Sequence, residues 1–165
     1  MTIDDDWRLE TQLTWQIKAI LGEYFITKDV CADLEEATDF AIFQVNPFRI
    51  GVRLRRYSYF VSFNDEFTLR WSRPSGVKTE IDKIREGLIN YYLYGFVNEE
   101  ENKIIQYFLA DMKKFTDPKP HSILLNDPYD STFAVYKLNQ FSNGFILKFW
   151  QDETAKKLCE EAVVK

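Results

Sequence analysis

The chain has 165 residues, 45% of them hydrophobic, so it can bury one substantial core but is too short for two ordinary domains. Its net charge of −5 argues against a broad basic surface for nucleic acid. A single histidine, His121, argues against sites built on several histidine ligands, and no phosphate-binding glycine motif is present. We therefore predict one domain over 1–165, in which any metal is bound by oxygen ligands, as magnesium and manganese are.

The first residues, "MTIDDDWRLE", are acidic and lack the basic and apolar regions of a signal peptide. The apolar runs, such as "GFILKFW", are far shorter than the about 18 residues that cross a bilayer. These features predict a cytoplasmic protein without membrane association.

The net charge is the sum over three segments, of which the middle one is basic and the two outer ones are acidic. Residues 1–48 carry 10 acids and 3 bases, 49–85 carry 4 acids and 9 bases, and 86–165 carry 12 acids and 9 bases. Seven of the eight arginines lie in 49–85. Because guanidinium binds phosphate or carboxylate in a bidentate geometry, this segment is a candidate anion site. An alternative stays open, in which the arginines offset the acidic ends within the fold.

The first predicted element is an amphipathic helix over 7–24, whose apolar stripe would pack on a sheet. The stripe comprises Leu13, Ile17, Ile20, Leu21 and Tyr24. Glu10 falls on the same stripe, where a carboxylate is costly unless it is paired or bound to a metal. Glu10 is therefore a candidate site residue, although a position at the helix edge near its N-terminus explains it equally well.

Two strands follow, over 39–46 and 49–60. The first opens on Asp39 and is closed by "NP". Alternation along the second places Val52 and Leu54 on one face and Arg53 and Arg55 on the other.

The third strand, "FTLRWSR", places Phe67 and Leu69 on one face and Arg70 on the other. Apolar spacing then predicts helices over 79–95 and 99–115. The C-terminal part reads as strands in "HSILLND", "FAVYKLNQF" and "FILKFW", the last two joined as a hairpin by "SNG", followed by a short helix. An aromatic-rich hairpin of this kind can add an edge strand to a second copy, so a homodimer is one expectation.

The order of helix with Glu10, strand with Asp39, charged strand, third strand and helix resembles the core of the PD-(D/E)xK nuclease superfamily. More narrowly, the run "ATDFAI … IGVRLRR … FTLRWSRPSGVKTEIDKI" is similar to phage and prophage proteins that keep ATD, an RxRR strand, FTIR and SGxxTExxKI. The resemblance implies an α+β fold with a mixed central sheet flanked by helices. The nuclease-like core would span about 7–96, and a C-terminal extension, 97–165, would add the hairpin and short helix. A phage-encoded protein would act in the cytoplasm of the host cell.

In that superfamily, carboxylates hold magnesium for phosphodiester hydrolysis, and the resemblance implies this role for Glu10 and Asp39. The ExK position reads Arg53-Leu54-Arg55, so the expected acid is absent and Arg55 stands at the place of the lysine. Glu80 and Lys83, three apart on one helical face, can supply a migrated acid with a lysine beside it.

The combined site has Glu10, Asp39 and Glu80 as ligands of magnesium or manganese and Lys83 polarising the water or phosphate. Its phosphate-binding residues are Arg53, Arg55 and Arg70. This arrangement predicts that Asp39 and Arg55 point into one cavity. A surface ion pair of Glu80 with Lys83 at a helix start is an equally supported interpretation.

Three functions remain open on these residues. The first is magnesium-dependent phosphodiester hydrolysis on nucleic acid. The second is a non-catalytic protein of the same fold, whose arginine face binds nucleic acid or a host protein. The third is a structural role in which the arginines are only ion-paired.

Overall fold

The computed structural model describes residues 3–24, 49–126 and 131–163. The helices are α1 (Ile3–Gln12), α2 (described over 14–24), α3 (Tyr57–Phe63), α4 (Glu80–Arg85) and α5 (Glu153–Val163). The strands are β1 (Ile50–Arg55), β2 (Glu66–Ser72), β3 (Tyr91–Val97), β4 (Ile104–Asp111), β5 (Ser122–Asn126), β6 (Ser131–Lys137) and β7 (Ile146–Gln151). Short 3-10 turns follow β4 and β6, at Met112–Lys114 and Leu138–Gln140.

The strands form two sheets. The first has the order β1-β3-β4-β7, with β1 parallel to β3 and the other neighbours antiparallel. The second has the order β2-β6-β5 and is antiparallel throughout. Helices and a mixed sheet in one chain confirm the predicted α+β class.

The central strands of the first sheet, β3 and β4, are buried on both faces. One face packs against α1 and α2 through a helix-side core. This core comprises Leu9, Leu13, Ile17, Leu54, Leu93, Val97, Ile104, Tyr107 and Leu109. The stripe Leu9, Leu13 and Ile17 repeats every four residues, as expected for a helix facing a sheet. The helical assignment is interrupted only at Leu13, and the amides of Leu13 and Ile17 still donate to the carbonyls of Leu9 and Leu13. The predicted helix over 7–24 is therefore present as two segments that follow each other directly.

The other face of the first sheet packs on the second sheet and on α5, through an inter-sheet core rich in aromatic rings. Phe67 of β2 lies at its centre and contacts the rings of Tyr94, Phe108, Tyr136, Phe141 and Phe145. Aromatic pairs of this kind add roughly 0.5–1.5 kcal/mol each beyond the area they bury. The inter-sheet core therefore joins the C-terminal segments to β2.

The predicted helix over 79–95 is wrong beyond its first two turns. Thr79 caps α4 with a capping box to Asp82, and Gly87, at a φ of 69°, follows the helix end. The chain then continues as β3, which is buried on both faces except at its first residue. A strand buried on both faces shows no alternation, so its apolar residues also matched the helical period.

The predicted helix over 99–115 is wrong for the same reason. Residues 104–111 form β4, seven of whose eight residues are buried. The predicted strand over 49–60 ends at Arg55, and α3 follows it. The predicted C-terminal hairpin is also wrong, because β6 pairs with β2 and β5 whereas β7 pairs with β4 in the other sheet. Residues 97–165 thus supply two of the four strands of the first sheet.

Among the described residues, no helix has the length and apolar character needed to cross a membrane.

Candidate functional site

The arginines of β1 face the interior between the two sheets. Val52 and Leu54 pack in the helix-side core, so alternation turns Arg53 and Arg55 to the opposite face, as predicted. Only 5% of Arg53 and 8% of Arg55 is exposed. Arg70 of β2 is buried to a similar degree. Charged side chains are rarely buried this deeply unless their charge is compensated.

Glu80 compensates part of this charge from the first turn of α4. Its Oε1 accepts a hydrogen bond from Nη2 of Arg53 at 2.5 Å, and its Oε2 accepts one from the backbone amide of Arg70 at 2.8 Å. The cap on Thr79 fixes the start of α4 and thereby places Glu80 over the ends of β1 and β2. Both carboxylate oxygens of Glu80 are therefore engaged inside the protein.

The ring of Phe133 completes the group of Arg53, Arg70 and Glu80, which we call the Glu80 cluster. The guanidinium carbons of Arg53 and Arg70 each lie 5.1 Å from the centre of this ring. Phe133 reaches this position because β6 pairs with β2 in a register that sets it opposite Arg70. Desolvated cation–π contacts of this kind are worth up to about 2 kcal/mol.

The electrostatics of the cluster favour a charged Glu80. Burial alone would raise the pKa of Glu80, but the Arg53 charge and the hydrogen bonds from Arg70 and Arg53 outweigh it. The net effect is a pKa below the ordinary value of 4.5. Glu80 is therefore an ionised partner of the arginines at neutral pH.

Tyr92, on β3 beside β1, lies in the same electrostatic environment. Burial raises its pKa well above the ordinary value, the Glu80 carboxylate raises it further, Arg53 opposes this, and Glu10 adds a smaller increase. Its hydroxyl is buried and has no hydrogen-bond partner in the described parts of the chain. Its ring lies over Gly51, where a Cβ would come within 2.5 Å of it, so the strand pairing here requires glycine.

Arg55, two residues beyond Arg53, lies in the wall of a cavity of about 210 Å³, which we call the Arg55 pocket. The guanidinium carbon of Arg55 is 4.2 Å from the centre of the Tyr59 ring. Aromatic rings, hydroxyl groups, one carboxylate, the imidazole of His121 and the aliphatic side chains of Leu124 and Val135 line the rest of the cavity. They include Tyr59, Phe63, Tyr94, Phe96, Thr68, Ser122 and Glu66. Apolar walls with a few convergent polar groups are typical of small-ligand sites.

The other predicted site residues are distributed as follows. Glu10 is partly exposed on α1, next to the buried stripe. Lys83 is exposed on α4. The interpretation of Glu80 and Lys83 as a surface ion pair is wrong, because Glu80 pairs with the buried Arg53. Asp39 lies outside the described residues, as does its predicted meeting with Arg55.

The carboxylates of the described residues are dispersed. Residues 3–24, 49–126 and 131–163 contain no group of three or more carboxylate, histidine or cysteine side chains placed to hold a metal ion. Glu80, the predicted migrated ligand, has both oxygens hydrogen-bonded to arginine groups, and the adjacent guanidinium repels a cation.

Phe133 and Tyr59 are among the side chains of these sites that were not singled out from the sequence. Phe133 lies more than 60 residues after the arginines, and only the β2–β6 register brings it to them. Tyr59 fell within the predicted strand 49–60, whereas α3 carries it back over Arg55. The dense aromatic and arginine pattern of "RLRRYSYF" was the available signal for Tyr59.

A second cavity, of about 550 Å³, lies on the opposite side of the first sheet, where α2 borders β4 and β7. Trp15, Tyr107 and Trp150 supply its aromatic wall, and the rings of Tyr107 and Trp150 stack at 5.6 Å. Lys148 at its rim pairs with Glu23 of α2. This cavity contains none of the predicted site residues.

Comparisons of the chain with protein-family models, with curated proteins and with solved structures each find no match. The functional argument therefore depends on the geometry of the Glu80 cluster and the Arg55 pocket.

Proposed function

We propose that this protein binds nucleic acid without hydrolysing it, through a nuclease-like fold in which the Arg55 pocket receives part of a single strand. The observation that carries the proposal is the position of the Arg55 guanidinium, stacked on Tyr59 in the wall of a cavity lined by further aromatic rings. Proteins hold single strands by stacking bases on aromatic rings and by guanidinium contacts to phosphate.

The Glu80 cluster supports the non-catalytic form of the proposal. The Glu80 carboxylate accepts hydrogen bonds from Arg53 and from the amide of Arg70. It therefore stabilises these buried arginines instead of presenting its oxygens to a metal ion. The cluster holds the ends of β1 and β2 together, and β1 continues directly to Arg55. Glu80 thus acts as a positioning residue for the pocket.

The fold assignment is also a proposal. The mixed sheet, with β1 parallel to β3 and α1 packed on one face, supports a PD-(D/E)xK-like core. The position of β2 in a second sheet departs from the predicted order of three successive strands.

The test is fluorescence anisotropy of labelled single-stranded DNA and RNA, titrated with the wild type at several salt concentrations and in the presence of a chelator. We expect binding that survives chelation and weakens with salt, because phosphate contacts release counterions. Tyr59→Leu should weaken binding about tenfold, since stacking one base contributes about 1–3 kcal/mol. Arg55→Lys should weaken it at every salt concentration, because a lysine keeps the charge but not the planar fork.

The matched control is Arg49→Ala, which removes an exposed arginine just before β1. It should reduce the salt slope by at most about 1 and leave the stacking contribution intact. Absence of wild-type binding to either nucleic acid would overturn the proposal. Equal binding by wild type, Tyr59→Leu and Arg55→Lys would remove the pocket from it.

A second candidate function is magnesium- or manganese-dependent hydrolysis of nucleic acid. The residues in its favour are those of the sequence resemblance, Glu10, Asp39 and Glu80. Calorimetric titration of the metal into wild type and Asp39→Ala, with cleavage assays on the same samples, decides between the two functions. Metal binding and cleavage that are both lost in Asp39→Ala would favour hydrolysis.

A further inference from the structure

The outer edge of the second sheet is apolar and exposed. β5 pairs with β6 on one side, and no strand of the described chain pairs with its other side. Three successive side chains of β5 are substantially exposed: 49% of Ile123, 51% of Leu124 and 68% of Leu125. Three successive exposed apolar residues are unusual on a strand, because alternation normally leaves one face polar.

This edge lacks the usual protection against strand pairing. Natural edge strands carry a charge, a proline or a bulge that prevents another strand from adding. The sequence of β5, "SILLN", has no charged residue and no proline, and its pairing with β6 is regular over all five residues. Among the described residues, nothing therefore prevents a further strand from pairing with this edge.

The apolar surface extends over both faces of the sheet edge. Leu124 lies opposite Phe133 and shares the face of the Arg55 pocket, where Phe63 of α3 adjoins it. Ile123 and Leu125 alternate to the other face. A molecule docking on one face would leave the other uncovered, whereas a strand added in the plane of the sheet contacts both.

We propose that β5 pairs with β5 of a second copy of this chain, in an antiparallel arrangement about a twofold axis at Leu124. The strand is complementary to itself in this register. Leu124 meets Leu124 of the second copy, Ile123 meets Leu125, and the polar Ser122 meets Asn126. Apolar positions thus face apolar ones and polar positions face polar ones, as an interface between identical patches requires.

The pairing is short. Pro120 and Pro128 lie two positions outside each end of β5, and proline cannot donate a ladder hydrogen bond, so about five residues per chain can pair. An interface of this size, with Phe63 and Leu124 at its margin, is smaller than that of a permanent dimer. We therefore expect a dimer that forms and dissociates with protein concentration.

Electrostatics give the dimer a salt dependence opposite to that of nucleic-acid binding. Each chain has a net charge of −5, so two copies repel, while the pairing strand itself is uncharged. Added salt screens the repulsion, and it should strengthen the dimer. The dimer and the nucleic-acid proposal can therefore fail separately.

The experiment is sedimentation velocity of the full chain over a hundredfold concentration range, in reductant and at low and high salt. We expect a monomer–dimer equilibrium that shifts toward dimer with salt. Leu124→Lys and Leu125→Lys should each raise the dissociation constant at least tenfold. The matched control is Val77→Lys, which charges an apolar residue exposed to a similar degree (55%) before α4 and should leave the equilibrium unchanged.

Cross-linking tests the register itself. Residues opposite each other in an antiparallel pair have Cα atoms about 4.5–5.5 Å apart, a separation that a disulfide can bridge. In a Cys31→Ser, Cys159→Ser background, Leu124→Cys should oxidise to a covalent dimer, and Val77→Cys should remain monomeric. A wild type that stays monomeric over the whole range, or a Leu124→Lys protein that dimerises as the wild type does, would overturn the proposal.

Discussion

Arg53 and Arg55 lie on the same face of β1, two residues apart and almost equally buried, yet their surroundings differ. Arg53 is enclosed by Glu80 and Phe133, and its contacts hold two strands and a helix together. Arg55 is stacked on one ring of α3 and borders a cavity. The comparison shows that residue type and burial alone do not determine the surroundings of an arginine, because the neighbouring elements enclose Arg53 and leave Arg55 beside a cavity.

The first prediction breaks the Glu80 cluster. Glu80→Ala removes a carboxylate partner from the buried Arg53 and an acceptor from the Arg70 amide, and it should lower the free energy of unfolding by about 3 kcal/mol, the usual effect of breaking a buried ion pair. Urea denaturation measures this. Glu86→Ala is the matched control at the other end of α4, because its pair with Lys78 is largely exposed and worth under about 1 kcal/mol.

The double variant Arg53→Met, Glu80→Leu tests whether the loss of stability in Glu80→Ala comes from the ion pair itself. Replacing both charges by apolar groups also removes the buried guanidinium that Glu80→Ala leaves behind, so the double variant should be more stable than Glu80→Ala. A double variant as unstable as the single one would show that the cluster acts through contacts other than this ion pair.

The second prediction concerns acid. Because the pKa of Glu80 is lowered in the folded state, its ionised form stabilises the protein above its ordinary pKa of 4.5. That stability should be lost as the pH falls below 4.5 toward the folded-state value. In Glu80→Gln, the drop in the free energy of unfolding between pH 5 and pH 3 should be smaller than in the wild type, as measured by urea denaturation at each pH. An equal drop would assign the acid sensitivity to other carboxylates.

The sequence predicts which faces of β1 and β2 the arginines occupy, but it does not predict which distant elements come together around them. Alternation along β1 and β2 correctly placed Arg53 and Arg55 opposite Leu54, and Arg70 opposite Phe67, because one face of each strand packs against apolar residues. The site partner of Arg53 was also among the predicted residues, although Glu80 was assigned to a metal.

The errors in predicting helices came from strands that are buried on both faces. β3 and β4 were predicted as helices, because neither strand has a solvent face that would show a period of two. The C-terminal hairpin was predicted from the turn-forming sequence "SNG", but the strands on either side of it belong to different sheets. Pairing between distant strands, such as β2 with β6, leaves no local pattern, and it is this pairing that brings Phe133 to the arginines.

The third prediction concerns the surroundings of Arg55, the other arginine of the comparison. Tyr59→Leu removes the ring under Arg55 but keeps an apolar side chain on α3, so it should lower the free energy of unfolding by only about 0.5–1 kcal/mol. Its effect on nucleic-acid binding should be larger than its effect on stability. Glu80→Ala should show the reverse order. Urea denaturation and anisotropy on the same preparations give both quantities, and a Tyr59→Leu protein destabilised as much as Glu80→Ala would remove the distinction between the two regions.

The fourth prediction compares two tyrosines on one face of β3. The Tyr92 hydroxyl is buried without a hydrogen-bond partner in the described parts of the chain, whereas the Tyr94 hydroxyl lies 3.4 Å from Oγ1 of Thr68. Tyr92→Phe should therefore stabilise the protein by about 1 kcal/mol, because a buried unpaired hydroxyl is unfavourable. Tyr94→Phe should destabilise it by about the same amount, because it deprives Thr68 of a partner.

Thermal and urea unfolding of the two variants measures this difference in sign. The two rings are almost equally buried and the substitutions are chemically identical, so loss of apolar contact cancels between them. Destabilisation by both variants would mean that the Tyr92 hydroxyl is hydrogen-bonded in solution. In that case Tyr92 would belong to the polar network of Glu80 and Arg53, and the Glu80 cluster would extend across the first sheet from β1 to β3.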